Sequence, residues 1–201
     1  MFLVALFGLF MLTVPLAGGD LGALASVRFR HTWTVIVGLA LQIMIISIIP
    51  FSNPGMLAAA HLVSYGFIGA FVYANRSERG LWVLGAGWGC NLAAIAANGG
   101  IMPTASAVVT SSARTVAANE FINSRTLEHP KLQFLGDIFA IPRSWPLHNV
   151  FSVGDVLIAA GAFILLHSLC RSKLARYWRS GRDRATLGPQ APTPSSEMST
   201  P

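Results

Sequence analysis

Residues 32–49 read TWTVIVGLALQIMIISII, a run with no charged side chain that stops at Pro50 and the turn formers Ser52, Asn53, Pro54 and Gly55. Proline and glycine at that point end a helix, because the ring removes an amide donor and glycine favours turns. A helix rises 1.5 Å per residue, so about 20 apolar residues cross a bilayer's hydrocarbon core, with about 17 as a working minimum. By that measure the run predicts a membrane-crossing helix. Four further runs have the same character: 2–17, 56–74, 81–97 and 154–170. Backbone polar groups in lipid must be satisfied within the segment, so each run is read as a helix. The expected fold class is an all-α integral membrane protein with five transmembrane helices and a partly ordered outer loop.

Composition points the same way. Only 11% of the 201 residues are charged, against about 25% in soluble domains. Hydrophobic residues make up 53%, and the mean hydropathy is +0.58. These values exclude a disordered chain, and two cysteines exclude a disulfide scaffold. No Lys or Arg precedes the first run, so it is read as retained rather than as a cleaved signal peptide.

The basic residues set an expected orientation. Arg28, Arg30, Arg76, Arg79, Arg171, Lys173, Arg176, Arg179, Arg182 and Arg184 fall on one side of such a topology. Arg114, Arg125, Lys131 and Arg143 fall on the other, dispersed in one long loop. The positive-inside bias then puts the N-terminus outside and the C-terminus in the cytoplasm. Trp33, Tyr73, Trp82, Tyr177 and Trp178 fall at the inner ends, where amphipathic rings sit at headgroup level. The net charge of +6 is thus a topology signal and an attraction to anionic lipid, with no nucleic-acid partner implied. Residues 1–170 form the membrane domain, with an outer cap over 99–153. Residues 171–201 form a basic juxtamembrane stretch and a Pro/Ser/Thr tail too poor in apolar residues to fold.

The long loop carries the chemistry. A small-residue stretch, 105–118, is read as a surface helix, and Phe134, Leu135, Ile138, Phe139 and Trp145 require burial against the bundle or the headgroups. Asp137 sits in LGDIF at 135–139, and Asp155 ends FSVGD at 151–155, where the last run begins. Two carboxylates about 3 Å apart cannot both ionise, so one serves as acid while the other activates water. The competing reading of Asp155 is structural: Ser152-x-x-Asp155 ahead of an apolar run is a capping-box variant. His61, Asn91 and Asn98 are candidate substrate-binding residues in the same half of the bundle, with interhelical hydrogen bonding as the alternative. No Cys/His/carboxylate set has metal-ligand spacing, no cofactor motif occurs, and Cys90 and Cys170 differ too much in depth to pair.

Two resemblances follow from these motifs. Gly18-Gly19-Asp20, NGGIMP at 98–103, LGDI at 135–138 and FSVGD at 151–155 followed by Gly161 resemble a family of bacterial polytopic membrane proteins of unknown function. That likeness covers most of the chain and implies no activity. Locally, Gly136-Asp137-Ile138 and Phe151-Ser-Val-Gly-Asp155 resemble the catalytic elements of lipoprotein signal peptidase, which implies Asp137 and Asp155 as a catalytic pair. That family has four spans and a Gly-Asn-x-x-Asp-Arg element with no counterpart here.

Three functions remain open on this reading. One is hydrolysis of a lipid-linked or membrane-embedded protein substrate by Asp137 and Asp155, with Asn98 positioning it. The second is a non-enzymatic membrane scaffold or assembly partner. The third is a small transporter using His61, Asn91 and Gln42. The lipid bilayer is the expected partner in each.

Overall fold

The structure is a computed structural model and describes residues 2–47, 54–105, 124–142, 144–145 and 149–177. The stretch expected as a surface helix, all but its first residue, and the tail beyond Tyr177 with Trp178 lie outside the described residues. Among the described residues there are five α-helices: α1 (Phe2–Leu16), α2 (Thr32–Ser47), α3 (Pro54–Ala74), α4 (Leu81–Ala97) and α5 (Val153–Leu169). Each coincides with one of the five apolar runs to within two residues at either end, because Pro, Gly, Asn or a charge closes each run.

The five-span expectation is overturned. Among the described residues no helix is long and apolar enough to cross a membrane. Helices α1, α2, α4 and α5 have 15 to 17 residues, so each reaches about 23–26 Å against a hydrocarbon core of about 30 Å. The longer α3 is diluted by His61, Ser64, Tyr65 and several glycines and alanines. The inside–outside assignment that rested on five spans is withdrawn with them.

Glycine sets the packing of α4 on α5. A Cβ on Gly161 would lie 2.7 Å from Leu84 Cα, and one on Gly87 would lie 2.7 Å from Ile158 N. Only bare backbone allows the two helices to approach so closely. Helix α2 lies on α3 in a similar way: Gly38 faces Ser64 and Phe67, while Trp33–Phe67 and Phe29–Phe71 make edge contacts at 6.4 and 5.4 Å. Trp88 of α4 covers Gly69 of α3. Helix α1 joins through Val14, which packs with Leu166 and Cys170.

The described parts of 99–152 cap one end of this bundle with short strands. β1 (Met102–Pro103) pairs in parallel with β2 (Ser124–Arg125). β3 (Asp137–Ile141) pairs antiparallel with β4 (Asn149–Ser152), with Phe139 stacked on Phe151 at 5.3 Å. Met102 forms a buried cluster with Ala94 and Ile95 of α4, against which Leu135 and, from α3, Leu62 and Tyr65 pack. β4 then passes into α5 with no intervening residue.

The opposite end gathers the other helix termini. The Asp20 amide donates to Cys170 O and the Lys173 amide to Ala17 O, both at 2.9 Å. The Asn75 side chain exchanges bonds of 2.7 and 2.8 Å with the Arg30 backbone. Gly80, at φ +87°, lies against Gly161 and Leu165. Arg28, Arg30, Arg76, Arg79, Arg171, Lys173 and Arg176 therefore share one end, where the described acidic residues are Asp20 and Glu78. Trp33, Tyr73, Trp82 and Tyr177 are exposed there, at 55%, 66%, 64% and 75%.

Candidate functional site

The junction of α4, α5 and the hairpin holds a polar cluster. Ser152 is the N-cap of α5: its Oγ accepts from the Asp155 amide, and the Ser152 amide donates to Asp155 Oδ2, both at 3.0 Å. This reciprocal capping box satisfies two amides that the first helical turn leaves unpaired. Asn91 closes the cluster from α4. Its Nδ2 donates to Asp155 Oδ1 at 2.9 Å, and its Oδ1 accepts from Ser152 Oγ at 2.8 Å. Gly154 leaves room for this, since a Cβ there would collide with the Asn91 amide group.

Asp137 enters from β3, where it is the cross-strand partner of Ser152. It is 5% exposed, takes a long 3.4 Å contact from Thr104 Oγ1, and its carbonyl accepts from the Ala105 amide. Tyr65 of α3 packs beside this cluster, against Ala94, Ile95 and Met102. Burial first, then the charges of Asp155 and Asp137, push its phenol up to about 12, so it remains an O–H donor at neutral pH. His61, one turn before Tyr65, meets its ring at 5.1 Å. It is 2% exposed and, among the described residues, neither ring nitrogen has a hydrogen-bond partner; Trp88 Nε1 shares that condition. Burial lowers the His61 pKa, which keeps the ring neutral.

The structure thus brings Asn91, Asp137 and Asp155 to one corner and sets His61 behind Tyr65. Asn98 lies elsewhere. It caps α4, its Nδ2 donating to Ala94 O and Lys131 O at 2.7 Å and its Oδ1 accepting from the Lys131 amide at 2.8 Å. Its side chain is a staple between helix and loop. Cys90 and Cys170 are free thiols, and among the described residues no group of three His, Cys, Asp or Glu is placed to hold a metal ion.

Three residues of the cluster went unrecognised as members in the sequence reading. Tyr65 was findable, since it follows His61 by one helical turn and so shares its face. Thr104 and the interhelical use of Ser152 were not, because their partners come from distant segments.

A second buried joint, His167, was also missed. It is fully buried, with Nε2 3.0 Å from Thr13 Oγ1 and Nδ1 2.9 Å from Ser172 Oγ. Thr13 already donates its proton to Phe10 O, so Nε2–H is the donor to Thr13. Ser172 Oγ accepts from the Ala175 amide and donates to Nδ1. The ring is neutral in this arrangement, in line with the lowering of its pKa by burial. A Ser–His pair sealed from solvent has no route to a substrate, so it ties α1 to the end of α5.

These features define a helical bundle whose hairpin cap and last helix are locked by a polar joint. The model of a family of unknown function (DUF5317) matches residues 26–167, and the chain belongs to that family. The matched region holds His61, Asn91, Asn98, Asp137 and Asp155. No curated protein and no solved structure matches the chain, so the likeness to lipoprotein signal peptidase rests on its two short motifs alone.

Proposed function

We propose that the protein is a non-enzymatic scaffold that works at a lipid membrane. The observation that carries this reading is the apolar outer surface of α1 and α2, bordered by a basic, aromatic end. Leu12 and Leu16 of α1 are 65% and 86% exposed, and Ile36 and Ile43 of α2 are 64% and 63% exposed. Apolar helix faces of this kind need a cover, and acyl chains supply one. The arginines, Trp33, Tyr73, Trp82 and Tyr177 at one end complement anionic headgroups. The bonding of the Asp155 carboxylate supports a structural role, since its two oxygens serve Asn91 and the helix cap.

Vesicle flotation of the full chain tests the association. Recovery with vesicles, increased by anionic lipid and reduced by salt, is the expected result; protein left at the bottom with every lipid composition would overturn it.

One observation favours a second reading, hydrolysis of a lipid-linked or membrane-embedded substrate. Asp137 pairs across the hairpin with Ser152, whose amide and hydroxyl bond to Asp155, which supports a shared polar site. On that reading Asp137→Asn keeps the fold and abolishes turnover of a lipid-anchored peptide. Equal turnover in the variant and the parent rules it out.

A further inference from the structure

The basic end contains a cavity of about 470 Å³ that the polar joint does not involve. It lies between the α3–α4 turn and the flank of α5, lined by Arg76, Ser77, Glu78, Arg79, Trp82 and Ile164 among others. Three properties define its chemistry. Its lining includes two arginines, Arg76 and Arg79, against one acidic residue, Glu78. Arg76 is held in place, its guanidinium 4.4 Å over the Tyr73 ring with one nitrogen donating to Tyr73 O at 3.2 Å. A guanidinium has five N–H donors, so this anchoring leaves others for an oxyanion. Arg79 is half-buried, and no ion pair among the described residues takes its charge.

The shape of the cavity is fixed by the backbone. Gly80 forms the turn into α4 at φ +87°, and its bare Cα rests on Gly161 and Leu165 of α5. A side chain there would force α5 away and open one wall. Trp82, 64% exposed, stands at the rim with Tyr73 close by. Indole rings favour the boundary between headgroups and acyl chains, whereas two arginines favour the planar, bidentate geometry of phosphate oxygens.

We propose that this cavity is a phosphate-binding site for the headgroup of an anionic phospholipid, with Arg76 and Arg79 as the oxyanion donors and Trp82 as the wall toward the acyl region. The proposal rests on the lipid-associated reading above and specifies where that association becomes selective. Free inorganic phosphate has the same oxyanion chemistry, so the source of the anion is part of the test. Glu78 on the lining repels a second anionic group, which favours a single phosphate over a polyphosphate.

The full chain in detergent is titrated with inorganic phosphate by calorimetry. In parallel it is floated with vesicles of phosphatidylcholine alone or with one-fifth phosphatidic acid. The variants are Arg76→Gln/Arg79→Gln and, as a charge-matched control at the same end, Arg171→Gln/Arg176→Gln. The cavity variant is expected to lose at least fivefold of its preference for phosphatidic acid vesicles, with unchanged recovery on phosphatidylcholine. The control is expected to lose less than twofold. Equal losses in the two variants would reduce the effect to general charge and overturn the proposal. Phosphate binding that is lost in the cavity variant, without any preference for phosphatidic acid, would overturn the lipid source and assign the cavity to free phosphate. Absence of both preference and phosphate binding would overturn the site. Failure to float with any vesicle falls on the lipid-associated reading instead, and the calorimetric arm still decides whether the cavity takes phosphate.

Discussion

Two histidines are buried almost equally and have opposite surroundings. His167 is 0% exposed and His61 is 2% exposed. His167 has both nitrogens paired, to Thr13 and Ser172, and joins three segments of chain. His61 lies among apolar and aromatic side chains with neither nitrogen paired. A satisfied buried polar group is neutral to stabilising, whereas an unsatisfied one costs about 1–3 kcal/mol. Burial alone therefore says little about what a histidine contributes; the accounting of its nitrogens decides.

The largest effect is expected at His167. Replacing it with Leu removes two side-chain bonds and strands the Ser172 hydroxyl, at a cost of about 2–4 kcal/mol in chemical unfolding of the full chain. A loss below about 1 kcal/mol would show that the joint carries little weight. Asn91→Leu comes next. It leaves Asp155 Oδ1 without its interhelical partner and should cost about 2–3 kcal/mol by the same measurement. Thr13→Val, which keeps volume while removing the acceptor for His167, should cost about 1 kcal/mol.

His61→Phe should fall at the other end of the scale. It removes two unpaired nitrogens at similar size, so stability should be unchanged or raised by about 1 kcal/mol. A loss beyond that would reveal a partner for His61 and collapse the contrast. Acid sharpens the same comparison. Both rings have pKa values lowered below the ordinary 6.5 by burial, so below pH 6.5 the unfolded chain binds more protons than the folded one. The stability that each neutral ring contributes is complete above pH 6.5 and declines as pH falls toward its folded pKa. Unfolding curves between pH 7 and 5 should therefore show His61→Phe losing less stability on acidification than the parent. Identical pH dependence would remove His61 from the account.

The five helices were legible because their boundaries are chemical. Pro50, the Arg76-to-Arg79 stretch and Asn98-Gly99-Gly100 each stop an apolar run for a reason visible in the residue itself. Whether such a run crosses a membrane was not legible from apolarity alone. A helix that buries a glycine seam, as α4 does on α5, has much the same composition as one that faces lipid. Length and dilution by polar residues decide between them, and here they decide against spanning. In the candidate site, Ser152-x-x-Asp155 announced its capping box locally, and Asn91 makes the interhelical hydrogen bonds that were the alternative to its substrate-binding reading. The Thr13–His167 contact links residues 154 positions apart and has no local sign. The β3–β4 hairpin was anticipated only as an apolar cap, since a bulge between Asp137 and Phe139 breaks its alternation.

The direct passage of β4 into α5 makes the two elements a phase-locked pair. Ser152 is at once the last residue of the strand and the cap of the helix. One residue inserted at that junction would turn α5 by about 100° relative to the hairpin. Gly154 and Gly161 would leave the seam with α4, and bulkier neighbours would rotate into it. Homologous chains should therefore vary in length at the hairpin tip, and keep the spacing from Asp137's partner Ser152 to Gly161 invariant.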